Sequence, residues 1–211
     1  MFGIQDLALF MLSGFLLNIT PGADMLYVIS RSSGQGFRTG AVAALGIGAG
    51  CLLHITFACA GLSVILATSA IAFTVVKIIG AGYLVNLGLT LLLEKNKKGQ
   101  PVPQALQKHS LPKVFWQGVF VNALNPKVAL FCLAFVPQFI NVSSNQKVAA
   151  FFVLGMLFNT MGTLWNVIVA WSSASISHKI KTGHSFIRWL KKAMGGLFVG
   201  LGVKLAFSGR T

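Results

Sequence analysis

Six apolar runs, each of about the 20 residues that a bilayer-crossing helix needs, recur along this chain and leave few architectures open. They lie at Ile4–Ser30, Ala41–Thr68, Thr74–Leu93, Val114–Phe139, Val148–Ile176 and Ser185–Phe207. Hydrocarbon supplies no hydrogen bonds, so runs of this length satisfy their backbone internally, as helices. Only 9% of the residues are charged, where a soluble domain carries about 25%. The sequence therefore predicts an all-α integral membrane protein with six transmembrane helices. No Lys or Arg precedes the first run, in "MFGIQDLALF", so that run is expected to stay as a span rather than act as a cleaved leader.

The net charge of +14 raises the question of nucleic acid. No soluble domain is left to carry a basic, aromatic-studded surface, so none is expected as a partner. The cations follow topology instead. Arg31, Arg38, Lys95, Lys97, Lys98, Lys108, Lys113, Lys179, Lys181, Arg188, Lys191 and Lys192 fall on one side, and Lys77, Lys147, Lys204 and Arg210 on the other. Cytoplasmic loops hold the Lys/Arg excess. Both termini are thus expected in the periplasm, with anionic lipid headgroups as partners of the basic loops.

The long polar stretch 94–113 divides the chain into two three-helix halves, 1–93 and 114–211, within a single membrane domain. Three is odd, so similar halves would face opposite ways. Gly14–Asn18 matches Gly118–Asn122, with Pro21 and Pro126 following. "KIIGAGYLVNLGLTL" from Lys77 aligns with "KKAMGGLFVGLGVKL" from Lys191. The expectation is a 3+3 inverted repeat, the plan of many transporters.

The first helix of each half is broken. Thr20-Pro21-Gly22 interrupts one and Asn125-Pro126 the other. Thr and Asn are good N-caps and proline suits the first helical position. Each break is read as the capped start of a half-helix inside the membrane, where free N–H groups make an anion site. A charge accompanies each break, Asp24 and Lys127, and charges at membrane depth generally face the interior and pair. Asp24 and Lys127 are expected to approach each other across the repeat interface. His54, within the second span, is a packed neutral imidazole or a proton relay. Gln117, Asn122, Asn159 and Asn166 bridge helices or line a path. The glycine runs at Gly46–Gly50 and Gly195–Gly202 are expected to let helices pack closely, and they permit a homodimer. Cys51, Cys59 and Cys132 form no CxxC pair and are read as small buried hydrophobes. No metal or cofactor is expected.

These motifs resemble the LysE/RhtB family of bacterial amino-acid exporters. "TPGADMLYVISRSSGQGFRTGAVAALGIGAG", "FWQGVFVNALNPKVALFCLAFVPQF" and "KIIGAGYLVNLG" carry the likeness, which covers nearly the whole chain. The family commonly has Pro-Gly-Pro where this chain has Pro21-Gly22-Ala23. The resemblance implies a secondary transporter in the bacterial inner membrane. It would export threonine, homoserine or its lactone, or basic amino acids, by proton antiport. The candidate substrate-binding residues are then Asn18, Thr20, Pro21, Gly22, Asp24, Asn122, Asn125, Pro126 and Lys127. Asp24 and His54 are the candidates for proton coupling. The rival readings are a membrane thiol redox relay, a passive channel and a membrane-embedded assembly factor.

Overall fold

In the computed structural model the described residues are 2–68, 108–141 and 143–175, with helical positions 78, 81–82, 85–86, 88–90, 92–93, 192, 195–196, 199–200 and 202–203. They are helical, and the one β contact among them is an isolated bridge between Ile4 and Ile140. Helix α1 (Leu7–Ile19) and α2 (Ala23–Gln35) flank the first break, and α3 (Phe37–Thr68) follows directly. Helix α4 (Leu111–Ala123) and α5 (Pro126–Leu130) flank the second break. A π-helical turn (Phe131–Phe135) and a 3-10 turn (Val136–Phe139) prolong α5, and α6 (Lys147–Ser175) comes next.

The protein is an all-α membrane protein. By length and composition, Phe37–Gly61 of α3 and the whole of α6 each suit a membrane crossing. The two bent pairs pass the same test as single broken spans, with bends of 52° at the first break and 50° at the second. The expected third span of each half, and residues 94–107 of the polar stretch, fall largely outside the described residues. The helical positions seen in those third spans touch each other closely. A Cβ on Gly88 would lie 2.6 Å from the Gly195 carbonyl oxygen, and one on Gly202 would lie 2.9 Å from that of Ala81.

Small residues set the helix spacing elsewhere too, because backbones in lipid associate by close packing. A Cβ on Gly46 would run into the Phe115 carbonyl, one on Gly50 would sit 2.6 Å from that of Val119, and one on Gly118 2.8 Å from that of Ala43. The glycine run at Gly46–Gly50 thus presses α3 against α4. Gly48 faces Thr163 on α6, so α3 is gripped on two sides. An aromatic core fills the space beyond the breaks. Phe131 stacks on Phe158 at 4.3 Å and on Phe135 at 4.8 Å, and Phe10 meets Phe139 edge-on at 5.3 Å. The start of the chain is tied to the same place: Gln5 N–H donates to Phe139 O, and Asn141 N–H to Gly3 O.

Helix α2 runs five residues past the expected end of its span and turns into α3 through Gly36. The φ of +86° there favours glycine. That extension corrects one expectation. Arg31 is not a loop cation: it lies on α2, 4% exposed, facing α4.

Candidate functional site

Each break begins with a carbonyl that proline deprives of its helical donor. In a continuous helix the Leu17 carbonyl would accept from the N–H of residue 21, and the Asn122 carbonyl from that of residue 126. Both positions are proline and have no N–H. The N–H one residue earlier bonds each carbonyl, from Thr20 at 3.2 Å and from Asn125 at 2.8 Å, and a side chain adds a second donor. The Lys127 ammonium donates to Leu17 O at 2.7 Å and to Thr20 O at 3.0 Å. His54 Nε2 lies 2.8 Å from Asn122 O. A carbonyl only accepts, so Nε2 carries the hydrogen.

Local chemistry shapes the two breaks differently. Asn125 is the N-cap of α5, its Oδ1 accepting from Lys127 N–H at 3.0 Å, with Pro126 in the first turn. This matches the sequence reading. Thr20 departs from it. Thr20 closes α1, its hydroxyl donating back to Leu16 O at 2.9 Å, and the N-cap of α2 is Gly22, which offers no side chain. The reason is that a threonine hydroxyl reaches the carbonyl four residues back as readily as an N–H ahead. The N-cap residue of α2 therefore supplies no side-chain cap.

Asp24 stands in that first turn, half-buried. Its Oδ2 accepts from Asn122 Nδ2 and from Asn125 Nδ2, each at 3.0 Å. Asn125 has its oxygen committed to Lys127 N–H, so its amide can present only hydrogens to the carboxylate. Asp24 Oδ1 and Asn122 Oδ1 are buried and accept no hydrogen bond among the described residues. Two acceptor oxygens, on residues joined by the Asn122–Asp24 hydrogen bond, are thus left over.

The expected direct approach of Asp24 to Lys127 takes an indirect form. No ion pair joins them among the described residues. The Lys127 side chain lies over Gly22, where a Cβ would be 3.8 Å from its Nζ. Of the other candidates, Pro21 sits in the first break between α1 and α2. Asn18 is turned to α6, its amide 3.4 Å from Phe158 O and pressed on Gly162. Cys51 and Cys132 are buried in the hydrophobic core.

Sequence reasoning missed a second polar cluster. Tyr27, Arg31 and Gln35 continue the face of α2 that begins at Asp24, at spacings of three and four, and this spacing is the signal that could have found them. Arg31 Nη2 donates to Gln117 Oε1 at 2.9 Å. Tyr27 donates to Val114 O at 2.8 Å. Gln35 pairs with the His109 backbone, giving to its O at 2.9 Å and accepting from its N at 3.2 Å.

The LysE type translocator model matches residues 15–209. The leucine efflux protein of Salmonella typhimurium is 26% identical over 206 residues, covering 97% of this chain and 96% of that protein. The leucine efflux protein of an Enterobacter species is 26% identical over 212 residues, covering 97% of each. The uncharacterized membrane protein YrhP of Bacillus subtilis is 30% identical over 200 residues, 92% of this chain and 94% of its own. No solved structure matches the chain significantly. With the family model spanning both breaks and nearly the full length, the chain belongs to the LysE type translocator family.

Proposed function

We propose that the protein is a secondary transporter that exports an amino acid, in exchange for a proton, through a site between the two helix breaks. The observation that carries this reading is the pair of donorless acceptors, Asp24 Oδ1 and Asn122 Oδ1. A buried acceptor without a partner is costly, and two of them on bonded residues suit a ligand that brings hydrogens. An ammonium group does so, and so does a proton on Asp24. The start of α2 at Gly22 and Ala23, with the Lys127 ammonium over Gly22, suits a carboxylate. Together they match a zwitterion.

Asp24 binds the ammonium and the proton in turn, which couples the two fluxes. His54 holds the Asn122 carbonyl and passes protons toward Asp24 through its other ring nitrogen. The substrate is a neutral amino acid, with leucine the first to test. The names of the efflux relatives support this. So does the charge at the site, where one carboxylate faces one lysine and a second substrate cation would meet Lys127. Threonine and homoserine fit the same charge pattern; basic amino acids fit it less well.

Residues 1–93 and 114–211 form inverted halves of one membrane domain, joined by 94–113 on the cytoplasmic side, with both termini in the periplasm of a bacterial inner membrane. The near-equal bends of 52° and 50° support the repeat. A homodimer would pack on glycines left open, such as Gly61, Gly82, Gly196 and Gly200. Proton-driven leucine flux in proteoliposomes tests the reading.

A further inference from the structure

Arg31 is a guanidinium 4% exposed within the fold, and its surroundings are built as a binding site is built. Its Nη2 reaches Gln117 Oε1 at 2.9 Å, its Nη1 reaches Gln35 Oε1 at 3.4 Å, and its plane lies 5.4 Å from the Tyr27 ring centre. His109 Nδ1 approaches the same Gln117 oxygen at 3.2 Å, and the Tyr27 hydroxyl lies 3.4 Å from it. Arg31 and His109 thus converge on one neutral amide oxygen, with the Tyr27 hydroxyl, whose hydrogen goes to Val114 O, beside it. A guanidinium with a second N–H donor beside it matches an anionic oxygen better than an amide, because charge-assisted bonds to a carboxylate are about twice as strong. The planar fork of arginine fits both oxygens of a carboxylate at once.

We propose that this cluster is a second station for the carboxylate of the transported amino acid, with Gln117 Oε1 standing where that carboxylate binds. This rests on the transport reading above. Arg31 follows Asp24 by seven residues on the same face of α2, about 10 Å along the helix at 1.5 Å per residue. No α-amino acid spans that distance between its ammonium and its carboxylate. The two groups therefore act in succession. The substrate is held by its carboxylate at Arg31 when Gln117 swings aside, and by its ammonium at Asp24 further along the seam between α2 and α4. Gln117 returns to Arg31 once the substrate has passed. The Gln35 pairing to the His109 backbone keeps the start of α4 in place through this exchange.

Two halves of leucine separate the stations. 4-Methylpentanoate is leucine without its ammonium, and isopentylamine is leucine without its carboxylate. Each is titrated as a competitor of labelled leucine on the full chain in detergent. In a Lys127→Met background, which removes the other carboxylate site, Arg31→Lys is expected to weaken 4-methylpentanoate about tenfold or more and leave isopentylamine within about twofold. Asp24→Asn gives the opposite pattern. Gln117→Glu keeps Arg31 and places a tethered carboxylate on it, so it too excludes 4-methylpentanoate; this arm stands if the Arg31 variant does not fold. Leucine binding with 4-methylpentanoate indifferent to both substitutions, or with no 4-methylpentanoate binding to the wild type, overturns the second station alone. Folded wild-type protein that binds no leucine overturns the transport reading and this station with it.

Discussion

Asp24 and Lys127 each bind the other's helix break. Asp24, three residues after Pro21, takes hydrogen bonds from Asn122 and Asn125, which lie four and one residues before Pro126. Lys127, one residue after Pro126, gives hydrogen bonds to Leu17 and Thr20, which lie four and one residues before Pro21. The offsets are identical in the two directions. The donors are amide side chains one way and the acceptors are backbone carbonyls the other, as the opposite charges require. Movement at one break therefore changes the partners of the charge at the other.

The carbonyls that proline deprives of a helical donor make a rescue experiment. Lys127→Met removes the side-chain donor of Leu17 O, and His54→Leu that of Asn122 O, leaving the N–H groups of Thr20 and Asn125 as their donors. Each is expected to cost about 1 kcal/mol, read as a lower melting temperature in detergent. Pro21→Ala supplies an N–H that lets α1 extend through Thr20 and bond Leu17 O, so the Pro21→Ala/Lys127→Met double variant is expected to melt above Lys127→Met alone. Pro126→Ala is expected to rescue His54→Leu likewise. No recovery in either pair would mean that the side chains do not stand in for the missing N–H groups.

Asn125 does two things at once, and substitutions part them. Asn125→Ala loses the N-cap and the bond to Asp24, with an expected cost of about 1 kcal/mol for the cap. Asn125→Asp keeps a good cap but sets a second carboxylate against Asp24 Oδ2. Its stability is expected to recover when Asp24→Asn is added, giving a non-additive thermal cycle. Additive losses across that cycle would place Asn125 and Asp24 out of contact.

The glycines divide into two groups by what a methyl would meet. Gly118→Ala puts a Cβ 2.8 Å from the Ala43 carbonyl, on backbone that cannot turn away. The expected loss is about 1 to 3 kcal/mol, as for overpacking. Nothing lies within 4 Å of a Cβ on Gly61. Gly61→Ala is expected to be neutral or to stabilise by up to about 1 kcal/mol, from helix propensity alone. Thermal melts of the two single variants decide this, and equal losses would contradict the α3–α4 packing.

The apolar runs and the two proline breaks were legible because both signals are local: hydropathy over a span, and a residue without an N–H. Asn125 as a cap was legible for the same reason. Thr20 was misread because its hydroxyl has two local choices, and it bonds back to Leu16 rather than forward into α2. Arg31 was counted as a loop cation because hydropathy fades at Ser30, whereas α2 continues to Gln35 with a polar face turned to α4. Asp24 and Lys127 are legible as charges beside the breaks, and they lie in the first turns of α2 and α5. Their crosswise bonding was not legible, since it depends on how two distant breaks meet in space. His54 was legible as an odd residue in an apolar span, but its partner, a carbonyl freed by Pro126, lies 68 residues away.

The most direct test is leucine flux driven by a proton gradient in proteoliposomes, with Asp24→Asn beside the wild type. Wild-type flux is expected to collapse when the gradient is dissipated. Asp24→Asn, folded and still bonded to Asn122 and Asn125 through its amide, is expected to lose proton-driven flux by about a hundredfold, as removal of an essential proton carrier does. Proton-driven flux that survives in Asp24→Asn would contradict the account and leave Asp24 as a helix-terminal carboxylate.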